Sequence, residues 1–162
     1  MSIVKISEKS WDGILKIQEE AYTELPPEDV CILRSKWLAS PDTCSIYSSN
    51  ENKILAYLLS HPWGSDSPPK LNEEVPVNNE TSNLYLHDLA LSKEARGKGI
   101  AKALVENLIN NAKTQGITKI LLVAVQGSSS FWVKYGFMVI ANAAICPSYG
   151  SAAKLMVLEL NT

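Results

Sequence analysis

NLYLHDLALSKEARGKGIAKAL, residues 83–104, is the stretch on which the fold turns. Asn83–Leu91 is largely apolar and reads as a strand. From Gly99 the apolar positions Ile100, Leu104, Leu108 and Ala112 recur at helical spacing, and Gly116 supplies a C-cap. A strand therefore enters a helix through Arg96-Gly97-Lys98-Gly99. The start of a helix leaves backbone N–H groups unpaired and carries positive partial charge, so it attracts anions. Gly97 and Gly99 allow a tight turn and close approach of the backbone to a phosphate. Arg96 and Lys98 add countercharge. A bare R-G-K-G is also a common glycine-rich turn with two solvated basic residues, and its setting between strand and amphipathic helix favours the anion site. A Walker loop would need G-x-x-x-x-G-K-[ST], which is missing. A dinucleotide fingerprint would need a third glycine where Lys102 stands.

Downstream, Lys119–Val125 is a continuous apolar run, the pattern of a central strand covered on both faces. Strand, helix and strand across 83–125 make a right-handed unit with parallel strands. Ser128–Tyr135 fits a short helix closed by Gly136, and 137–143 and 154–160 read as closing strands. Upstream, residues 2–6 fit an edge strand. Apolar positions from about Ser10 to Tyr22 mark a first helix that Pro26-Pro27 stops. A second helix opens at Pro27-Glu28-Asp29, with acidic residues in its first turn, and runs to Pro41. Thr43–Tyr47 and Lys53–Leu59 read as a hairpin. The hairpins make the sheet mixed, and the class is α/β (α+β mixed). Residues 61–82 hold four prolines and little periodicity, which fits either a functional lid or a disordered loop.

The chain of 162 residues suits one domain, 1–162. A net charge of −2 leaves no basic footprint, so nucleic acid is not an expected partner. Cys31, Cys44 and Cys146 are well separated and, with His61 and His87, lack metal-site spacing, so no metal is expected. Free thiols and a polar N-terminus without a leader pattern point to a soluble cytoplasmic protein. No run approaches a membrane span.

With these elements in place, the sequence resembles the GNAT acetyltransferases. Their signature R/Q-x-x-G-x-G/A is matched by Arg96-x-x-Gly99-x-Ala101. Leu89-Ala90-Leu91 is similar to the strand end whose backbone pairs with the pantetheine arm. Phe131-Trp132-Val133-Lys134-Tyr135-Gly136-Phe137 is similar to the element that closes the cofactor site. The resemblance implies a mostly antiparallel sheet of six to seven strands with about four helices, its central parallel strands splayed around a bulge. It implies acetyl-CoA as cofactor, CoA as product, and a primary amine as acceptor. The cofactor would be held by Leu89, Ala90, Leu91, Arg96, Gly97, Lys98, Gly99, Ile100, Ala101 and Trp132. Its thioester carbonyl would take a hydrogen bond from the Leu89 amide.

For the chemistry, the segment 84–91 resembles arylalkylamine N-acetyltransferases, in which a histidine at the position of His87 lies near the acceptor amine. Strand alternation puts Tyr85 and His87 on one face. His87 is then a general base, or a partly buried histidine bonded to Asp88 or backbone. Asp88 has three open roles: orienting His87, attracting the substrate ammonium, or capping a loop. The family's usual tyrosine acid is replaced by Trp132, whose indole cannot deliver a proton. Tyr135, one helical turn on, is one alternative acid, and Ser128–Ser130 or a water are others. Trp37, Trp63, Glu73, Glu74 and Tyr149 are suspects for the acceptor pocket. The long loop favours a small-molecule amine, with a protein or peptide acceptor or a silent acyl-CoA-binding module as alternatives, and a monomer or homodimer as the assembly.

Overall fold

Apolar side chains from both faces of one sheet organise the chain, and the computed structural model describes residues 2–23, 26–65, 67–75 and 81–160 of it. The elements run β1 (Ser2–Val4), α1 (Trp11–Ala21), α2 (Val30–Ala39), β2 (Ser45–Ser48), β3 (Ile54–Pro62) and β4 (Asn83–Leu91). They continue α3 (Ile100–Thr114), β5 (Lys119–Ala124), α4 (Ser129–Val133), β6 (Met138–Val139) and β7 (Lys154–Glu159). Among the described residues these strands form one sheet in the order β1-β2-β3-β4-β5-β7-β6. The mixed sheet, the four helices and the central β4–α3–β5 unit agree with the expected α/β architecture.

Leu84, Leu86, Ile120 and Leu122 point to one face, where they bury Ile100, Leu104 and Leu108 of α3 and Trp132 of α4. On the other face Tyr57, Leu59 and Ala90 pack against Trp11, Ile14, Ile17 and Leu33 of α1 and α2. The helix α3 ends in a left-handed Gly116 (φ 76°). There Gly116 N–H donates to Lys113 O and Ile117 N–H to Ala112 O, the paired bonds of a Schellman end.

The parallel contact between β4 and β5 is short. It pairs Asn83–Tyr85 with Lys119–Leu121 and goes no further. Past Tyr85, β4 pairs with β3 alone, whereas β5 keeps β7 as its partner through Ala124. A slot opens between the two central strands, as expected for splayed strands.

Several boundaries differ from the sequence reading. The second helix starts at Val30 behind an extended Asp29 (φ −64°, ψ 150°), so Glu28 precedes the helix and is buried. The Pro26-Pro27 pair holds the chain extended there, and the helix nucleates only beyond it. The third strand runs to Pro62, past the expected Leu59. The sixth strand is two residues long in place of 137–143, because Asn142 takes a left-handed turn (φ 59°). The fourth helix stops at Val133. Of the proline-rich stretch, residues 66 and 76–80 lie outside the described residues.

Leu104 is fully buried at the centre of the α3 face. Its replacement by Ala leaves a cavity and removes about 2–5 kcal/mol of stability, read as a lower midpoint with unchanged slope in urea unfolding.

Candidate functional site

The site begins with a register defect. Leu59 of β3 pairs with Asp88 and Ser60 pairs with Leu86, so His87 is an extra residue in β4. A bulge of this kind interrupts the alternation of side chains. Leu86 and Leu89 both pack toward α3, and the two residues between them both turn to the α1/α2 face. Consecutive His87 and Asp88 thus share one side of the sheet, which a regular strand forbids.

Asp88 is 5% exposed. Its Oδ1 accepts from the Tyr22 hydroxyl at the end of α1, and its Oδ2 accepts from the Tyr57 hydroxyl at 2.6 Å. Burial pushes the Asp88 carboxyl above its ordinary range, against the opposing pull of His87 and the two phenols. Burial, then Asp88 itself, raises both phenols well above 10, so each stays a neutral donor.

His87 meets a different carboxylate. Its Nε2 lies 2.6 Å from Glu28 Oε1. Oε2 of Glu28 accepts the Asn72 N–H at 3.0 Å and faces Lys36 Nζ at 3.8 Å. Burial works against the charge on Glu28, but the His87 bond and charge, Lys36 and the Asn72 amide outweigh it and bring the carboxyl down to about 2. Gln18 fixes the backbone of Glu28 from both sides, its Oε1 accepting the N–H at 3.0 Å and its Nε2 donating to the carbonyl at 3.3 Å. Lys36 is wholly buried and donates to Glu73 O at 2.7 Å. On β3, buried His61 donates from Nδ1 to Pro62 O at 3.0 Å, and desolvation lowers its pKa to about 3.

A cavity of about 350 Å³ joins this cluster to the start of α3. Glu28, His87 and Asp88 line it on one side, Arg96, Ala101 and Trp132 on the other. Leu89, Ala90 and Leu91 run along it between them. Ser92 N–H donates to Leu55 O on β3. By the two-residue alternation of strand amides, those of Leu89 and Leu91 face away from β3 into the slot. The Leu89 carbonyl does so too, since it accepts from Tyr22 Oη at 3.2 Å. At the far end Gly97 and Gly99 take φ of 75° and 76°, which places the exposed turn of Arg96 and Lys98 ahead of the α3 amides.

Of the residues singled out in the sequence, His87, Asp88, Leu89, Ala90, Leu91, Arg96, Ala101 and Trp132 meet at this cavity. Gly97, Lys98 and Gly99 form the turn at its rim, and Ile100 is buried beneath α3. Tyr135 is not among the lining residues; half-buried, it stacks edge-on to Phe131 at 5.3 Å. Tyr149 lines the cavity, its hydroxyl donating to Pro69 O and lying 3.3 Å from that of Tyr85. Trp37 packs on Trp11 at 5.8 Å, Trp63 donates to Ser67 O, Glu73 offers only its carbonyl, and Glu74 is exposed. Sequence reasoning missed Glu28, Lys36, Gln18, Tyr22 and Tyr57. A glutamate directly after two prolines was the one available signal. Among the described residues no group of three or more His, Cys, Asp or Glu side chains stands together as a metal site. No helix among them is long and apolar enough to cross a membrane.

The sequence matches the model of the acetyltransferase (GNAT) family over residues 11–137. No curated protein matches it. Among solved structures it is similar to Ard1 from Thermoplasma volcanium, with 15% identity, a TM-score of 0.77, and 99% of this chain and 98% of that one covered. It is also similar to the ribosomal-protein-S18-alanine N-acetyltransferase from Escherichia coli, at 14% identity and TM-score 0.72 over 99% and 94% of the two chains. A third is the GphF GNAT-like decarboxylase in complex with isobutyryl-CoA, at 12% identity and TM-score 0.79 over 99% and 100%.

The depressed Glu28 carboxyl makes stability depend on pH. Its folded pKa of about 2 lies below the ordinary glutamate value of 4.5. The stabilisation is therefore complete above the unfolded value and disappears as pH falls toward the folded one. Its size is on the order of 3 kcal/mol. Urea unfolding at pH 6 and pH 2.5 should show the wild type losing more stability than Glu28→Gln by about that amount. Equal losses would mean that Glu28 is not held as a carboxylate.

Proposed function

The chain belongs to the GNAT acetyltransferase family, and from that premise we propose that it moves an acetyl group from acetyl-CoA to the primary amine of a small molecule. One observation carries the reading: a single cavity runs from the glycine turn that opens α3 to a buried acidic end beside His87.

The cofactor end fits a pantetheine diphosphate. A helix of 15 residues presents unpaired first-turn amides, and Gly97 and Gly99 hold the left-handed angles that keep Cβ atoms out of the turn. Arg96 and Lys98 add positive charge beside it. The Leu89 and Leu91 amides, turned into the slot, are the donors for the arm and the carbonyl. When bound, acetyl-CoA supplies the acetyl thioester.

The acceptor end fits a cation. Glu28 and Asp88 line it, and Lys36 is sequestered away from solvent. An ammonium is drawn to this end, and the His87 imidazole takes its proton to leave a nucleophilic amine. The Leu89 amide stabilises the charge that develops on the carbonyl oxygen. Trp132 supplies no acid at its position, and a thiol pKa of about 8.5 lets the thiolate depart without one. A small acceptor is favoured by the 67–75 segment, which is fastened over this end. Asn72 N–H binds Glu28, Val75 N–H donates to Ser35 Oγ at 3.2 Å, and Pro69 O accepts from Tyr149.

Thiol release from acetyl-CoA is the direct test, run with a panel of small amines and with peptides bearing free N-termini. Turnover should appear with small amines. Turnover with peptides alone would overturn the acceptor class. Stabilisation by CoA without any release would leave a binding module. At a hundredfold excess over Kd, CoA should add about 2.7 kcal/mol to stability. Gly99→Val, forced to φ 76° at the first amides of α3, should abolish that gain while the protein stays folded. Absence of stabilisation by CoA or acetyl-CoA in the wild type would remove the assignment.

A further inference from the structure

We infer that Glu28 is the positioning residue for His87: it holds the ring with the proton on Nε2 and leaves Nδ1 as the atom that accepts the proton of the incoming amine. The inference rests on the acyl-transfer reading of this cavity and assigns a role within it that no sequence motif marks.

An ionised carboxylate accepts hydrogen bonds and cannot donate them. At 2.6 Å from Glu28 Oε1, His87 Nε2 must therefore carry the hydrogen. A neutral imidazole has one N–H, so Nδ1 keeps its lone pair. Nδ1 is buried and has no hydrogen-bond partner among the described residues. The His87 side chain is only 2% exposed, yet the residue lines the cavity. The free nitrogen is thus kept from bulk water, within a residue that forms part of the cavity wall.

Asp88, the neighbour in sequence, does not fill this role. Both of its oxygens are engaged by Tyr22 and Tyr57. Glu28 in turn is prevented from becoming a neutral acid. Its second oxygen takes the Asn72 N–H and faces the Lys36 ammonium, and Gln18 clamps its backbone. Two of these fixings come from loop 69–75, through Asn72 directly and through Glu73 by way of Lys36. The loop and the base are thus fixed through the same carboxylate. The groups facing His87 are then Glu28 and Lys36 from the α2 side, His61 from β3 at 6.3 Å between rings, and Tyr85 and Asp88 from its own strand, with Tyr22 reaching Asp88 from α1. Of these, His61 is neutral and its Nδ1 is bound to Pro62.

In the proton step an N–H bond of the acceptor ammonium breaks, and its electron pair stays on nitrogen for attack at the thioester. The proton binds His87 Nδ1. The ring becomes an imidazolium whose charge Glu28 offsets across the retained Nε2–H bond. After product leaves, the proton passes from Nδ1 to solvent. Glu28 stays ionised throughout.

The test reads the tautomer and the kinetics separately. Nitrogen-15 spectra of the wild-type imidazoles at alkaline pH should show His87 protonated on Nε2. A ring protonated on Nδ1, or an even mixture, would overturn the inference, and this measurement needs no variant to fold. In Glu28→Gln the tautomers should mix, kcat should fall by about 10–100-fold, and KM for acetyl-CoA should stay unchanged. Wild-type kcat together with an unmixed tautomer in that variant would also overturn the inference. A wild type that turns over no amine counts against the acyl-transfer reading alone, and the tautomer still decides the case for Glu28.

Discussion

Opposite Leu59 and Ser60 of β3, the neighbouring strand places three residues where two would keep the ladder regular. That single insertion at His87 has three consequences. It turns two adjacent polar side chains to one face. It bends β4 just past Tyr85, where its pairing with β5 ends. It leaves the amides of Leu89 and Leu91 aimed into the resulting slot. A bulge removes ladder bonds locally, and a protein core tolerates that loss where other contacts fix the strand. Here Leu84, Leu86, Leu89 and Leu91 hold β4 against α3 on the opposite face, so the apolar side carries stability while the interrupted side is released for chemistry.

The polar side is costly in its own way. Glu28, Asp88 and Lys36 are all buried, and an isolated charge in such a place is strongly destabilising. Each is matched to particular partners. Two phenols serve Asp88; a ring nitrogen, a main-chain amide and an ammonium serve Glu28; a carboxylate oxygen and a main-chain carbonyl serve Lys36. The cluster therefore behaves as a unit, in which losing one member strands another. It also joins elements far apart in the chain, since Gln18, Glu28, Asn72 and His87 belong to α1, the linker, the loop and β4.

Much of the architecture was legible in the sequence because it rests on local periodicity. The 83–104 stretch alone defines strand, turn and helix, and Lys119–Val125 can only be an interior strand. The glycine turn was legible for the same reason: a positive φ and a helix start leave marks in neighbouring residues. Glu28 was not legible. Its place depends on where α2 begins, and Pro26-Pro27 delays that start by a few residues, which carries the side chain from a solvated first turn into the core. Nor could spacing reveal that Asp88 would bind phenols from α1 and β3, because those meetings are made by the tertiary fold. Tyr135 shows the converse: it does lie one turn on from Trp132, whose carbonyl accepts its N–H, yet it is not among the residues that line the cavity.

The charge balance of the cavity also bears on what enters it. Arg96 is the only cationic side chain among the residues that line it, and it sits at the end that faces α3. At the opposite end stand Glu28 and Asp88, with His87 between them in the lining. A carboxylate on the acceptor would face both of them in a low-dielectric setting, where like charges repel strongly. A neutral or cationic group meets no such penalty. On the proposed reading, the two residues that would draw an ammonium inward would also disfavour an acidic acceptor.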